Sequence, residues 1–168
     1  MRINSIGSLK VKNVHFGKWQ SGITLIELVI VVAIIGVLAG VGYPLYAEQV
    51  RKARRADAQG ALYGFANAME QHAATNPATG YAGAANGGGN TGAPDASVFP
   101  DEAPLDAVDK YYDLTISAVT MDGVYGTDFT LQAAPKGKMA GDACGNLTLT
   151  SAGVRGRSGG EGMNKCWR

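Results

Sequence analysis

Side chains that carry chemistry are scarce in this sequence. It holds two histidines, two cysteines and two tryptophans in 168 residues, with 8% aromatic and 17% charged side chains. No H-E-x-x-H and no C-x-x-C occurs, and no G-K-[ST] follows the one glycine-rich loop, so zinc-protease and P-loop chemistry are excluded. No catalytic constellation is visible and no cofactor or metal is implied; the chain reads as a structural protein, acted on by enzymes rather than being one. The formal net charge is +1, too small to name a partner.

Acids are also missing from Met1 to Gly22, which carries Arg2, Lys10, Lys12 and Lys18 and leaves eleven basic against fourteen acidic residues for the remainder. Such a basic start holds an N-terminus in the cytoplasm by the positive-inside bias. An apolar run follows: Ile23 to Tyr43 is interrupted by a single acid, Glu27. About 20 apolar residues suffice to cross a bilayer as a helix. An intramembrane acid costs roughly 3 kcal/mol on insertion scales and points to a function with a partner. A secretory signal cut near Val37-Leu38-Ala39 is the competing explanation and would release a soluble periplasmic protein.

The stretch Gly22-Ile-Thr-Leu-Ile-Glu27, followed by Ala33-Ile-Ile-Gly36-Val-Leu-Ala39 and Pro44, resembles the N-terminus of a type IV prepilin. The resemblance implies cleavage between Gly22 and Ile23 by an inner-membrane prepilin peptidase that also methylates Ile23. The family's usual first mature residue is phenylalanine; here it is isoleucine. It also implies that Glu27 pairs with the amino terminus of a neighbouring subunit during assembly. That pairing is chemically sensible, because an α-amino group is largely cationic at neutral pH and each charge is costly alone in an apolar setting. Partners implied are other pilin subunits in a helical filament, the peptidase, an inner-membrane assembly platform and the inner membrane itself. The head is then periplasmic before assembly and on an extracellular pilus after it. Adhesion, twitching motility and DNA uptake are the functions such a filament serves. A type II secretion pseudopilin shares the same N-terminus and is an alternative.

The expected organisation is a leader (1–22), a membrane-spanning and filament-core half-helix (23–46), an amphipathic half-helix (47–76), a glycine-rich connection (77–110) and an antiparallel sheet closed by a disulfide (111–168). Gly36 and Gly40 form a small-xxx-small pair suited to close helix approach, and Pro44 should bend or loosen the helix there; the family places a loss of helical order in the same region. Beyond Pro44, Val50, Ala53, Ala58, Ala61, Leu62, Phe65, Met69 and His72 or Ala73 follow helical spacing, with Arg51, Lys52, Arg55, Asp57, Gln59 and Glu70 largely elsewhere. Pro77 ends the helix. The run Arg51, Lys52, Arg54, Arg55 can face headgroups, acidic neighbours or solvent.

Gly87 to Gly92 spells G-x-G-x-x-G but lacks a strand–helix frame, so it reads as a flexible loop. Asp101, Glu102, Asp106 and Asp109 lack EF-hand spacing for calcium, and a short helix is allowed around Leu105 to Lys110. Alternation predicts strands at Tyr112–Ala118, Phe129–Ala133 and Leu147–Thr150, with a turn at Asp122-Gly123 and a fourth short strand near Val154. The fold class is α+β: the long helix packs its second half on a small antiparallel sheet of 3–4 strands. Cys144 and Cys166 both lie beyond the span, and an even pair in an oxidising compartment implies a disulfide. Many pilins close their C-terminal segment in this way, and the Cys166-Trp167-Arg168 ending is similar to small minor pilins of Gram-negative bacteria.

Charge is unevenly spread over the head. Residues 76–135 hold eight acids against Lys110, whereas 136–168 hold six basic residues against Asp142 and Glu161. Opposite patches suit contact between subunits. The sharper alternative is DNA capture, in which Arg155, Arg157, Lys165 and Arg168 meet phosphates and Trp167 offers a stacking ring.

Overall fold

The long apolar run and the amphipathic run that follows it form one helix, α1 (Leu25–Thr75), which continues through Gly36, Gly40 and Pro44. The computed structural model describes residues 22–167. The expected leader before Gly22, with its lysines and His15, lies outside the described residues, as does Arg168. The chain divides into two compact units, one to Gly42 and one from Tyr43.

In the first unit the helix begins with a side-chain cap. Thr24 Oγ1 accepts the Glu27 backbone N–H at 3.2 Å, which satisfies one of the free donors of the first turn. The large apolar side chains that follow are exposed, from Leu25 to Val41. By length and composition this is the one helix among the described residues apolar enough to cross a membrane.

In the second unit the helix has a buried stripe of Ala58, Ala61, Leu62, Phe65 and Met69, as the spacing predicted, whereas Ala53 is exposed. Arg55 and Gln59, expected on the polar face, are buried instead. The reason is tertiary. Arg55 donates to both Asp142 carboxylate oxygens, at 2.9 and 2.5 Å, and Gln59 Nε2 donates to the Cys166 carbonyl at 2.7 Å. Each polar group is buried because the C-terminal segment brings it a partner. The helix stops before Pro77, where Asn76 Nδ2 bonds back to the His72 carbonyl at 2.9 Å.

The sheet has five antiparallel strands in sequential order: β1 (Glu102–Ala103), β2 (Tyr112–Asp122), β3 (Tyr125–Pro135), β4 (Leu147–Thr150) and β5 (Arg155–Arg157). The expectation of three or four strands is corrected by β1, whose two residues are too few to show alternation. Lys136 holds that edge by reaching Glu102 and Asp113 together. Strand β2 begins at Tyr112 as expected and runs on to Asp122, and β3 is longer than expected at both ends. Leu114, Ile116, Leu131, Ala133, Leu147 and Leu149 close one core with the helix stripe. A four-residue helix α2 (Met163–Cys166) ends in the disulfide Cys144–Cys166, which spans 22 residues.

The glycine-rich connection is not a loose loop. Gly92 and Ile116 exchange backbone hydrogen bonds at 2.9 and 2.8 Å, so the run continues the edge of β2, and Ala82, Ala84 and Ala85 are buried beneath it. Its return to the sheet depends on absent side chains: a Cβ on Gly126 would lie 2.7 Å from the Ala82 nitrogen. The short helix allowed near Leu105 does not form.

Candidate functional site

At the N-terminus, Gly22 and Ile23 precede the first helical turn and are exposed. Glu27 occupies the third helical position, three residues after the capping Thr24, where an acid also suits the positive end of the helix dipole. The Thr-x-x-Glu pattern is a helix-start signal legible in the sequence, and the structure shows the threonine half of it as a cap. Pro44 lies within α1.

At the other end of the chain the candidate DNA contacts separate into different kinds of residue. Lys165 is paired with Glu161 at 2.9 Å, which lowers that carboxyl through the lysine's hydrogen bond and charge. Arg157 turns one terminal nitrogen onto the Gly159 carbonyl, and its Nε is buried without a partner. Trp167 is 5% exposed and its indole N–H donates to the Gly156 carbonyl at 2.8 Å. The expectation of Trp167 as an open stacking ring is therefore corrected: the ring is part of the core, seated there by the neighbouring disulfide.

Arg155 differs from these. It is exposed on the short edge strand β5, and its Nε donates to the Tyr63 hydroxyl at 2.8 Å. Its guanidinium carbon lies 5.8 Å from the Tyr63 ring centre and 5.7 Å from that of Trp167, within cation–π range. The two rings meet edge to face, 6.3 Å apart. Tyr63 stands on the exposed side of α1 and carries no signal in the sequence; only the fold brings it to Arg155.

The basic run on α1 also divides. Arg55 turns inward to Asp142 and Glu48, and the pair with Asp142 holds the guanidinium charged more firmly than usual. Arg51 stays exposed, Lys52 half-buried, and Arg54 lies over the Tyr111 ring at 4.1 Å. The four acids weighed for calcium are not gathered: Glu102 is held by Lys136 and Asp109 by Lys138, and no metal-sized cluster of His, Cys, Asp or Glu occurs among the described residues.

Residues 20–43 match the prokaryotic N-terminal methylation motif. Two fimbrial proteins of Eikenella corrodens are similar over limited stretches: EcpB is 57% identical over 35 residues, 21% of this chain and 22% of that protein. EcpC is 37% identical over 75 residues, 40% of this chain and 49% of that protein. The chain thus spans less than half the length of the curated relatives it matches. Among solved structures, the non-core minor pilin PilV of Neisseria meningitidis aligns with a TM-score of 0.44 and 22% identity, over 68% of this chain and 93% of that one. A type IV pilin from Shewanella oneidensis aligns with a TM-score of 0.37 and 29% identity, over 62% and 88%. Residues 44–148 match the family model described as type IV minor pilin ComP, DNA uptake sequence receptor. That match takes in well over half of the chain, from Pro44 through the packed half of α1 to β4, and so the chain belongs to this family of type IV minor pilins.

Proposed function

We propose that this chain is a minor subunit of a type IV pilus that captures DNA for uptake. The observation that carries this reading is the match of residues 44–148 to a family described as a DNA uptake sequence receptor. Arg155 supports it, as an exposed cation held by neutral groups. Before assembly the subunit sits in the inner membrane with its head in the periplasm. The leader is removed after Gly22, Ile23 is methylated, and Glu27 pairs with the amino terminus of a neighbour as the helix joins the filament core. The methylation-motif match supports that processing.

The test is genetic and chemical together. A strain lacking this chain should lose natural transformation while keeping its filaments, and restoring the wild-type gene should restore uptake. Unimpaired transformation would end the DNA reading. Mass spectrometry of sheared filaments should find a methylated peptide beginning at Ile23; the same peptide confined to membranes, with protein secretion impaired, would favour the pseudopilin alternative. Glu27→Ala should leave membrane insertion intact and reduce incorporation into filaments, as quantified by immunoblot of each fraction.

A further inference from the structure

We propose that Tyr63 is a positioning residue for DNA: its hydroxyl fixes the Arg155 guanidinium so that both terminal nitrogens are presented to a backbone phosphate. This inference rests on the DNA reading and adds to it a residue from the helix.

Arg155 is distinguished by what surrounds it. Lys136, Lys138 and Lys165 each have a carboxylate within an ion-pair distance, and Arg157 is turned onto a backbone carbonyl. Arg155 has none of these. Among the described residues its one side-chain hydrogen bond runs from Nε to the Tyr63 hydroxyl, and its guanidinium lies beside two aromatic rings. A guanidinium carries five N–H donors in a rigid plane, so four remain without an acceptor among the described residues. Neutral partners fix the plane without cancelling the charge. A carboxylate would have done both and left little for an external anion.

The holder is itself held. Trp167 is anchored through its indole to Gly156, through its backbone N–H to the Met163 carbonyl at 2.8 Å, and by the adjacent Cys166 of the disulfide. Tyr63, from the packed half of α1, meets it edge to face. A free arginine side chain loses several rotors when it grips a phosphate, and a prefixed planar fork loses fewer. Arg155 is therefore ordered before DNA arrives, with its open donors at the edge of the sheet.

The test uses the full chain in detergent and a fluorescently labelled DNA duplex, with affinity measured by anisotropy over a range of salt concentrations. Arg155→Ala should weaken binding and reduce the salt slope by about 0.9, the value for one lost phosphate contact on duplex DNA. Tyr63→Phe keeps the ring and removes only the hydroxyl. It should weaken binding about threefold to tenfold, the scale of one hydrogen bond, with the thermal midpoint of the head unchanged. In an Arg155→Ala background the same change should have no further effect. Wild-type affinity in Tyr63→Phe, or an equal loss with and without Arg155, would overturn the positioning role. If Arg155→Ala binds as wild type does, the proposal falls while DNA capture stands elsewhere on the head. If the wild-type chain shows no salt-dependent binding at all, it is the DNA reading that fails.

Discussion

The two parts of α1 have opposite surroundings. From Leu25 to Gly42 nearly every large apolar side chain is exposed; from Arg55 to Met69 a stripe of small and apolar residues is buried, with a charged and an amide side chain among them. Within one helix, the first half leaves its apolar side chains open, and the second half buries them against the head. The difference shows where specificity resides. Lipid-facing surface asks only for apolar residues, whereas the packed half must match particular groups, Asp142 for Arg55 and the Cys166 carbonyl for Gln59.

The sharpest way to break this contrast is at the buried ion pair. Asp142→Ala leaves Arg55 charged and buried, with the half-exposed Glu48 as its one remaining ion-pair partner among the described residues. It should cost about 4 kcal/mol of head stability in urea unfolding. Next is a matched pair of truncations. Leu62→Ala, at a fully buried site, should cost about 3 kcal/mol, while Ile30→Ala in the apolar half should leave the urea midpoint of the head unchanged. Equal effects from the two would erase the distinction between the halves. Replacing Cys144 and Cys166 together by alanine frees a closure of 22 residues and should cost about 3 kcal/mol, seen equally as a lower thermal midpoint of wild type under reductant.

The smallest effect lies at the far end of the packed half. Tyr81 donates to both Glu70 oxygens at 2.9 Å, and its phenol is pushed up to about 12, by burial first and then by the Glu70 hydrogen bond. Its folded value is above the unfolded value of about 10. The contribution is therefore fully present below about pH 10 and lost as pH rises through about 12. Because the site is partly open, the loss should stay under about 1 kcal/mol. Glu70→Gln should shift the phenol's absorbance titration to lower pH.

Reading the sequence located the helix to within two residues of its start and found its apolar stripe, because a period of 3.6 is visible in Ala58, Leu62, Phe65 and Met69 without any partner. Strand β4 was legible for the same reason, as Leu147 and Leu149 alternate with threonines. Strand β1 was not, since two residues cannot display a period, and the glycine connection was misread because its order comes from hydrogen bonds to β2 rather than from its own side chains. At the candidate site, Arg155 was legible as a basic residue near the C-terminus. Tyr63, 92 residues away, was not.

What the sequence determined by itself is whatever is local and repetitive: a basic N-terminal stretch, an apolar run with one acid, an amphipathic continuation, alternating strands, and two cysteines beyond the apolar run. The tertiary structure alone decided which polar residues are buried, which cations keep their charge uncompensated, and that Trp167 is a prop rather than a platform. Those outcomes depend on which groups meet across long stretches of chain. A residue's own chemistry is the same in every such pairing, so composition and spacing carry no record of the partner it finds.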